Sequence, residues 1–190
     1  NTPNDLVRID AEYYAALCAM ELFHKDAELL LKNFIAAHPE SPRTQAAYFQ
    51  LGKYSYRKKQ YNKSLEWFAK VDVYDLNNEE LSEFYFKRGY SYFEEDSIGQ
   101  AKKDFFEVKD IDNKYAAPAT YYYGHISYSE KNYQTALQHF NKLRRNESFG
   151  PVVPYYIAQI FYLQGKYDSA ITYATPLLDS TTRRVLELTK

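Results

Sequence analysis

Small residues recur along the chain in five pairs, and the two members of each pair lie twelve positions apart. The pairs are Ala15 with Ala27, Gly52 with Ser64, Gly89 with Ala101, Gly124 with Ala136, and Ala158 with Ala170. Apolar residues follow each second member by four and by seven positions, which is the buried stripe of an amphipathic helix. Successive first members are 37, 37, 35 and 34 residues apart. The pattern therefore predicts a helical repeat with two helices in each unit.

The repeat predicts ten helices in five antiparallel pairs joined by short turns. First helices are expected near residues 5–22, 43–58, 79–95, 115–130 and 151–164, and second helices near 25–37, 61–73, 98–110, 133–145 and 167–178. The five repeats would span residues 5–41, 42–78, 79–113, 114–147 and 148–180. Residues 181–190 are expected to start a further or capping helix. A sixth repeat would place its first small residue near 192, 34 positions after Ala158, so we expect 1–190 to be a single domain of a longer protein.

Three stretches resemble tetratricopeptide repeats, a family whose unit has about 34 residues. They read YFQLGKYSYRKKQYNKSLEWFAKV, YYYGHISYSEKNYQTALQHFNKL and YYIAQIFYLQGKYDSAITYATPL. Their small residues match the family's positions 8 and 20, where the two helices of a hairpin cross closely. The resemblance implies an all-α fold, a right-handed α-α superhelix of five helix–turn–helix repeats plus a C-terminal helix. Arg88 and Ile98 depart from the family pattern, so the third repeat is expected to pack least regularly.

The resemblance also implies a concave face formed by the first helices, and positions 5 and 12 on that face are aromatic in repeats two to five. These eight residues are Phe49, Tyr56, Phe86, Phe93, Tyr121, Tyr128, Tyr155 and Tyr162. Position 9 between them adds Lys53, Tyr90, His125 and Gln159. We predict that these twelve residues bind a peptide or a helix of a partner protein, because tyrosine offers contact area, a polar tip and little rotamer entropy to lose. The alternative is that the rings pack on one another and only build the wall of the repeat.

Charge and residue content argue against several other functions. The sequence has 24 Lys plus Arg against 25 Asp plus Glu, so its net charge of -1 gives no attraction for nucleic acid. No run approaches the roughly 18 apolar residues of a membrane span, and we predict no transmembrane segment. The histidines lack metal-ligand spacing and no phosphate loop or nucleophile motif occurs, so we predict no catalytic residue, metal or cofactor. The lone Cys18 falls on an apolar helical face and is predicted to be a buried, inert thiol.

The connector between the first and second repeats narrows the resemblance to one group within the family. Residues 38–42, HPESP, precede a helix that contains Ala-aromatic-aromatic-x-Leu-Gly (AYFQLG, residues 47–52), and this phrase is similar to bacterial envelope members of the family. The outer-membrane assembly lipoprotein and the Tol–Pal-associated coordinator are of this type, which implies a periplasmic or outer-membrane-associated scaffold. The carboxylate clamp of chaperone-type members is excluded, since its asparagine at position 9 is absent.

Two other functions stay open at this point. The same tyrosines could stack against sugar rings, which would make the chain a module that binds cell-wall glycans. The polar planar residues that such a module needs beside its rings are scarce on the predicted face, and this favours a protein partner. The chain could also form a homo-oligomer through the groove or through its C-terminal helix.

Overall fold

The helices of the computed structural model follow one another as five helix–turn–helix pairs. The structure describes the backbone of residues 3–188 and the side chains of residues 5–178. The first helices of the pairs are α1 (Pro3–Glu21), α3 (Arg43–Arg57), α5 (Asn78–Glu94), α7 (Ala116–Ser129) and α9 (Val153–Leu163). The second helices are α2 (Ala27–Ala37), α4 (Tyr61–Phe68), α6 (Ile98–Val108), α8 (Tyr133–Lys142) and α10 (Tyr167–Leu188). Over residues 3–188 there is no strand, and the predicted all-α fold is confirmed.

Every pair turns at one residue in the left-handed region of backbone space. These residues are Phe23, Lys59, Asp96, Lys131 and Gly165, with φ of 52°, 58°, 55°, 60° and 71°. The residue after each of them donates its amide N–H to a carbonyl five positions back, at 2.8 to 3.0 Å, for example from Gln60 to Ser55. This is the Schellman arrangement that closes a helix C-terminus. The five turns therefore share one geometry, although only one of the five residues is glycine.

The turns correct the predicted alignment of the first pair. The left-handed residue stands seven positions after Gly52, Gly89, Gly124 and Ala158, and Phe23 stands seven positions after Ala16. Ala16 is 2% exposed and lies in a buried stripe with Tyr13 and Met20, whereas Ala15 is exposed. Ala16, and not Ala15, is therefore the small residue of the first pair. Two adjacent alanines concealed a hairpin that is one residue shorter than the others.

Small residues allow two of the hairpins to cross closely. A methyl group built at Gly52 would lie 2.5 Å from a ring carbon of Phe68, and one at Gly124 would lie 3.1 Å from a ring carbon of Phe140. In the second pair the hydroxyl of Ser64 also donates a hydrogen bond to the carbonyl of Gly52, at 2.9 Å. The phenyl ring of the second helix thus packs directly on the backbone of the first helix, as the resemblance implies.

Two predicted helix ends differ most from the structure and are wrong. The helix expected over 61–73 ends at Phe68, and a 3-10 turn, Val73–Asp75, follows. The Asp72 carboxylate accepts a hydrogen bond from the Tyr74 amide and the Asp72 amide donates to the Gln45 side chain, so local capping replaces the last helical turn. At the other end, no break separates 167–178 from 180–190. The α10 backbone stays helical from Tyr167 to Leu188 with Pro176 inside it.

Two compact units make up the chain, Asn1–Ala101 and Lys102–Lys190, with the boundary inside α6. The core of the first unit includes one cluster around Leu31, Phe34 and Leu51 and another of Phe49, Phe68 and Phe84. The core of the second unit is built on α8 and α9 by Phe140, Leu143, Val153, Ile157 and Ile160. The single domain over 1–190 stays a prediction, and the side chains of Val185, Leu186 and Leu188 lie outside the described residues. Among the described helices, none combines the length and the apolar character of a membrane span.

Candidate functional site

The predicted binding residues occupy the first helices of both units. Those on α3 and α5 form the first-helix face of unit 1: Phe49, Lys53, Tyr56, Phe86, Tyr90 and Phe93. Those on α7 and α9 form the first-helix face of unit 2: Tyr121, His125, Tyr128, Tyr155, Gln159 and Tyr162. Their exposure differs widely within each unit, and that difference decides which of them a partner could contact.

Two predicted contact residues of unit 1 are buried in its core. Phe49 is 1% exposed and Phe86 is 9% exposed. The Phe49 ring lies 6.2 Å from the ring of Phe68 and 6.4 Å from that of Phe84, measured between centroids. A phenyl ring without a polar tip gains most from complete burial, so these positions hold the helices together. Phe49 and Phe86 are therefore corrected from partner-binding residues to core residues.

A cluster of three tyrosines stands on the first-helix face of unit 1. The rings of Tyr56, Tyr61 and Tyr90 lie edge to face, with centroids 5.7 to 6.1 Å apart. All three are half-buried, as is Phe93. Tyr61 begins the second helix α4 and was absent from the predicted site. Its position three residues before Ser64 repeats at Tyr133 and Tyr167, and this recurrence was the signal that could have included it.

An ionic group accompanies these tyrosines. The Glu83 carboxylate on α5 accepts a hydrogen bond from the Lys87 ammonium at 2.6 Å and lies 3.1 Å from the Lys53 ammonium on α3. Burial raises the pKa of Glu83, but hydrogen bonds and charge from the two lysines outweigh this effect and lower it overall. Burial, together with the charges of Lys53 and Arg57, lowers the pKa of Lys87 despite its bond to Glu83. Sequence reasoning singled out Lys53 but missed Glu83 and Lys87.

Tyr156 organises the first-helix face of unit 2, although it was not among the predicted residues. Its ring stacks on Phe140 at 5.2 Å and meets Tyr128 and His125 edge to face at 5.5 Å. Its hydroxyl lies 3.4 Å from that of Tyr121. Tyr156 follows a residue of the predicted row directly in sequence, and helical spacing alone placed it on another side of α9.

Tyr121 belongs to the same packed group. Its ring stacks on Phe149 with centroids 4.8 Å apart and lies 6.3 Å from Phe140. Burial, with the nearby Tyr156 hydroxyl, raises the pKa of Tyr121 well above its usual value, so its hydroxyl is neutral at any physiological pH. For Tyr121 the structure favours the alternative in which the rings build the wall.

Tyr155 and Tyr162 are the exposed members of this face, at 53% and 65%. Gln159 links the exposed rim to the packed group. Its side-chain amide accepts a hydrogen bond from the Tyr128 hydroxyl at 2.9 Å and donates one to the Tyr155 hydroxyl at 2.7 Å. The Tyr162 ring lies 5.8 Å from that of Tyr167, which is also exposed. At this rim a hydrogen bond holds Tyr155 and a ring contact holds Tyr162, while both side chains stay open to solvent.

Comparison with known proteins identifies the fold. No family model matches the sequence, and no curated protein matches it. Among solved structures, the protein MamA matches with a TM-score of 0.66 at 19% identity, over 84% of this chain and 89% of its own. A tetratricopeptide repeat protein from Parabacteroides merdae matches with a TM-score of 0.70 at 21% identity, over 91% of this chain and 68% of its own. The TPR-like repeats of a putative kinesin light chain from Podosopora anserina match with a TM-score of 0.62 at 12% identity, over 93% of this chain and 96% of their own.

This chain has the tetratricopeptide-repeat (TPR) fold. At these identities the likeness establishes the fold alone. The TPR fold allows equivalent positions of different repeats to be compared. Position 5 holds Phe49 in one repeat, where it is buried, and Tyr155 in another, where it is exposed. Residue type and local packing therefore decide whether a ring at one and the same TPR position is exposed or buried.

Other candidate features lie away from these faces. A cavity of about 580 Å³ opens beside the connector 38–42, where Arg43 bonds Asp10 at 2.9 Å and His38 bonds Glu12 at 2.7 Å. Cys18 is exposed, so the prediction of a buried thiol is wrong. Within residues 5–178, no three His, Cys, Asp or Glu side chains are grouped as a metal ion requires.

Proposed function

We propose that this chain is a non-catalytic scaffold that binds a peptide or a helix of a partner protein on its first helices. The observation that carries the proposal is the exposed rim of unit 2, where Tyr155 and Tyr162 stand 53% and 65% exposed on one helix. They are seven residues apart, two helical turns along α9, so both rings lie on one side of the helix. Such a pair suits the apolar stripe of a partner helix or alternate side chains of an extended peptide.

The hydrogen bonds of Gln159 strengthen this proposal. A side chain that is already fixed in its binding rotamer loses less entropy when a partner binds. Tyr155 is fixed in this way, because its hydroxyl accepts from Gln159, whose amide oxygen in turn accepts from Tyr128. Pre-ordered tyrosines of this kind supply binding hot spots of about 2 kcal/mol or more when a partner covers them.

Glycan binding is the competing function, and the same amide argues against it. A sugar that stacks on Tyr155 would need a planar polar group beside the ring. Gln159 stands there, but both ends of its amide already bond to tyrosine hydroxyls. One N–H and one oxygen lone pair of Gln159 remain for a sugar, which is half of what a free amide offers. A protein partner needs no amide beside the ring, so the geometry favours a peptide or a helix.

The setting we propose is the bacterial cell envelope, in the periplasm or at the outer membrane. The support is the likeness of the connector 38–42 to envelope members of the family. Fractionation of the native cells with an antibody against this chain tests it, since recovery in the cytoplasmic fraction alone would contradict the proposal.

Peptide selection followed by mutation tests the binding function. A random 12-residue display library is selected on the wild-type chain, and the affinity of the recovered peptides is measured by fluorescence anisotropy. The double variant Tyr155→Ala, Tyr162→Ala should lose at least tenfold in affinity, which corresponds to about 1.4 kcal/mol. Tyr74→Ala is the matched control, because Tyr74 is 93% exposed in the 3-10 turn of unit 1.

Three results would count against the proposal. Equal affinity of wild type and double variant would remove the tyrosine rim from the site. Equal losses for the double variant and Tyr74→Ala would indicate nonspecific tyrosine contacts. Failure to recover any peptide would overturn the scaffold function, and saturable binding of cell-wall oligosaccharides would then support the glycan function. Sedimentation velocity on the same samples reports whether a second copy of the chain occupies the face.

A further inference from the structure

Two lysines share one glutamate on the first-helix face of unit 1. Lys53 on α3 and Lys87 on α5 lie 3.1 and 2.6 Å from the Glu83 carboxylate. The side chains of Lys53, Glu83 and Lys87 are only 24%, 16% and 13% exposed. The group therefore carries a net charge of +1 in a place from which most water is excluded.

The neighbourhood adds positive charge. The Arg57 guanidinium is near enough to lower the pKa of Lys87, as Lys53 does. Its own partner, Glu21, lies 3.2 Å away and is 70% exposed, so it screens Arg57 only weakly. Among the described residues, Glu83 is the carboxylate that bonds Lys53 and Lys87. An excess cation with little water around it is costly, and a carboxylate brought by a partner would relieve that cost.

The lysines lie beside the tyrosine cluster. Lys53 precedes Tyr56 by three residues on α3, and Lys87 precedes Tyr90 by three on α5, so each lysine is one turn from a tyrosine. The Lys87 ammonium lies 5.4 Å from the centroid of the Tyr56 ring. A chain laid along these tyrosines would bring its side chains to the lysines.

We propose that the partner segment bound on the first helices of unit 1 presents an aspartate or glutamate side chain that binds between Lys53 and Lys87. This inference rests on the proposed function and names the chemistry of the partner. The arrangement differs from the chaperone-type clamp, since it is built on lysines around an internal glutamate and needs a side-chain carboxylate. The aromatic rings provide buried contact area, and the carboxylate makes the binding specific for some peptides over others.

The same charge pattern occurs elsewhere in unit 1 and provides a control. Glu28 on α2 lies 2.7 Å from Lys32 and 2.6 Å from Lys63 on α4. These two lysines are 42% and 35% exposed, so water solvates their excess charge and a partner carboxylate gains little there. Lys63→Gln therefore makes the same chemical change as Lys53→Gln on the second helices. Both variants keep one Lys–Glu pair, so neither leaves an unpaired glutamate.

The experiment uses those peptides from the random 12-residue library that bind the wild-type chain and are weakened by Tyr56→Ala, because Tyr56 lies beside Lys87 on unit 1. Each acidic residue of the strongest peptide is replaced by glutamine, and each version is titrated against wild type, Lys53→Gln and Lys63→Gln by fluorescence anisotropy. We expect one acidic residue whose replacement weakens binding to wild type at least tenfold. That preference should fall below threefold in Lys53→Gln and remain in Lys63→Gln. Thermal unfolding by circular dichroism confirms that both variants fold.

The outcomes separate this inference from the proposed function. If peptides bind but no acidic residue matters, the carboxylate proposal is overturned and the scaffold proposal stands. If the preference survives Lys53→Gln, or is lost equally in Lys63→Gln, the carboxylate binds elsewhere and the site is wrong. If the library yields no peptide for wild type, the scaffold proposal fails and this inference fails with it.

Discussion

Gly52 and Gly124 occupy the same position in the second and fourth hairpins, yet alanine should affect them differently. At Gly52 the added methyl group would lie 2.5 and 2.6 Å from two ring carbons of Phe68. At Gly124 it would lie 3.1 Å from a ring carbon of Phe140 and 3.3 Å from the Cβ of His139. Ordinary carbon contacts are about 3.5–4.0 Å, so the overlap at Gly52 is roughly 1 Å and the overlap at Gly124 is a few tenths of an ångström.

The surroundings of the phenyl ring determine the cost. Phe68 is 1% exposed, and its ring is fixed by Phe49 at 6.2 Å and by Phe84 at 5.2 Å. Overpacking such a site costs about 3 kcal/mol, the upper part of the usual range. Alanine recovers about 1 kcal/mol of helix propensity relative to glycine. Gly52→Ala should therefore destabilise the chain by about 2 kcal/mol, whereas the two effects nearly cancel in Gly124→Ala.

Gly99 completes the series, because its added methyl group would meet no atom within 4 Å. Only the propensity gain remains there, and Gly99→Ala should stabilise the chain by up to about 1 kcal/mol. Urea unfolding followed by circular dichroism measures all three free energies of unfolding. The reasoning is refuted if Gly52→Ala is as stable as wild type, or if all three substitutions shift stability in the same direction.

Three further predictions follow from burial and charge. Burial, and then the charges of Lys142 and Lys109, lower the pKa of His139 from an ordinary 6.5 to about 4. As the pH drops, His139 therefore becomes protonated in the unfolded chain before it does in the folded chain. The stability of the fold should fall as the pH drops from 6.5 towards 4. The loss is roughly 2–3 kcal/mol at about 1.4 kcal/mol per pKa unit, and urea unfolding at pH 7 and 4.5 should show it in wild type but not in His139→Gln. Glu83→Gln leaves two poorly exposed lysines around a neutral amide and should cost about 2 kcal/mol in thermal unfolding, against less than about 1 kcal/mol for Glu28→Gln. Tyr121→Ala should destabilise unit 2 by about 2–3 kcal/mol because its ring is packed, whereas Tyr155→Ala should cost less than about 1 kcal/mol; equal losses would contradict this division of core from rim.

The hairpins were predictable because the signal for them is local. Small residues at the helix crossing and apolar residues three and four positions apart leave few other ways to bury the stripe. The misalignment of the first hairpin shows the limit of that signal. Ala15 and Ala16 are equally small, and only the left-handed turn at Phe23 distinguishes them. That turn requires a positive φ at a phenylalanine, and the residue type gives no sign of it.

Helix ends were less predictable, because side chains near a helix end can form hydrogen bonds with backbone groups that would otherwise continue the helix. The Asp72 carboxylate accepts a hydrogen bond from the amide N–H of Tyr74, and α4 ends at Phe68. Asp179 to Thr181 have the composition of a turn, yet the α10 backbone continues through them. Serine, threonine and aspartate support both a cap and a helix interior, so composition alone could not decide between them.

The predicted binding face shows why a row of aromatic residues in a repeat is not by itself a binding site. Positions 5 and 12 carry the same class of residue in four repeats, but Phe49 and Phe86 are buried while Tyr155 and Tyr162 are exposed. Phenylalanine gains only from burial, whereas tyrosine gains from burial and also needs a partner for its hydroxyl. Tyr155 meets that need at the surface through Gln159. A hydroxyl that is hydrogen-bonded at the rim lets an aromatic ring remain exposed and ordered, and that combination distinguishes the proposed contact surface from the core.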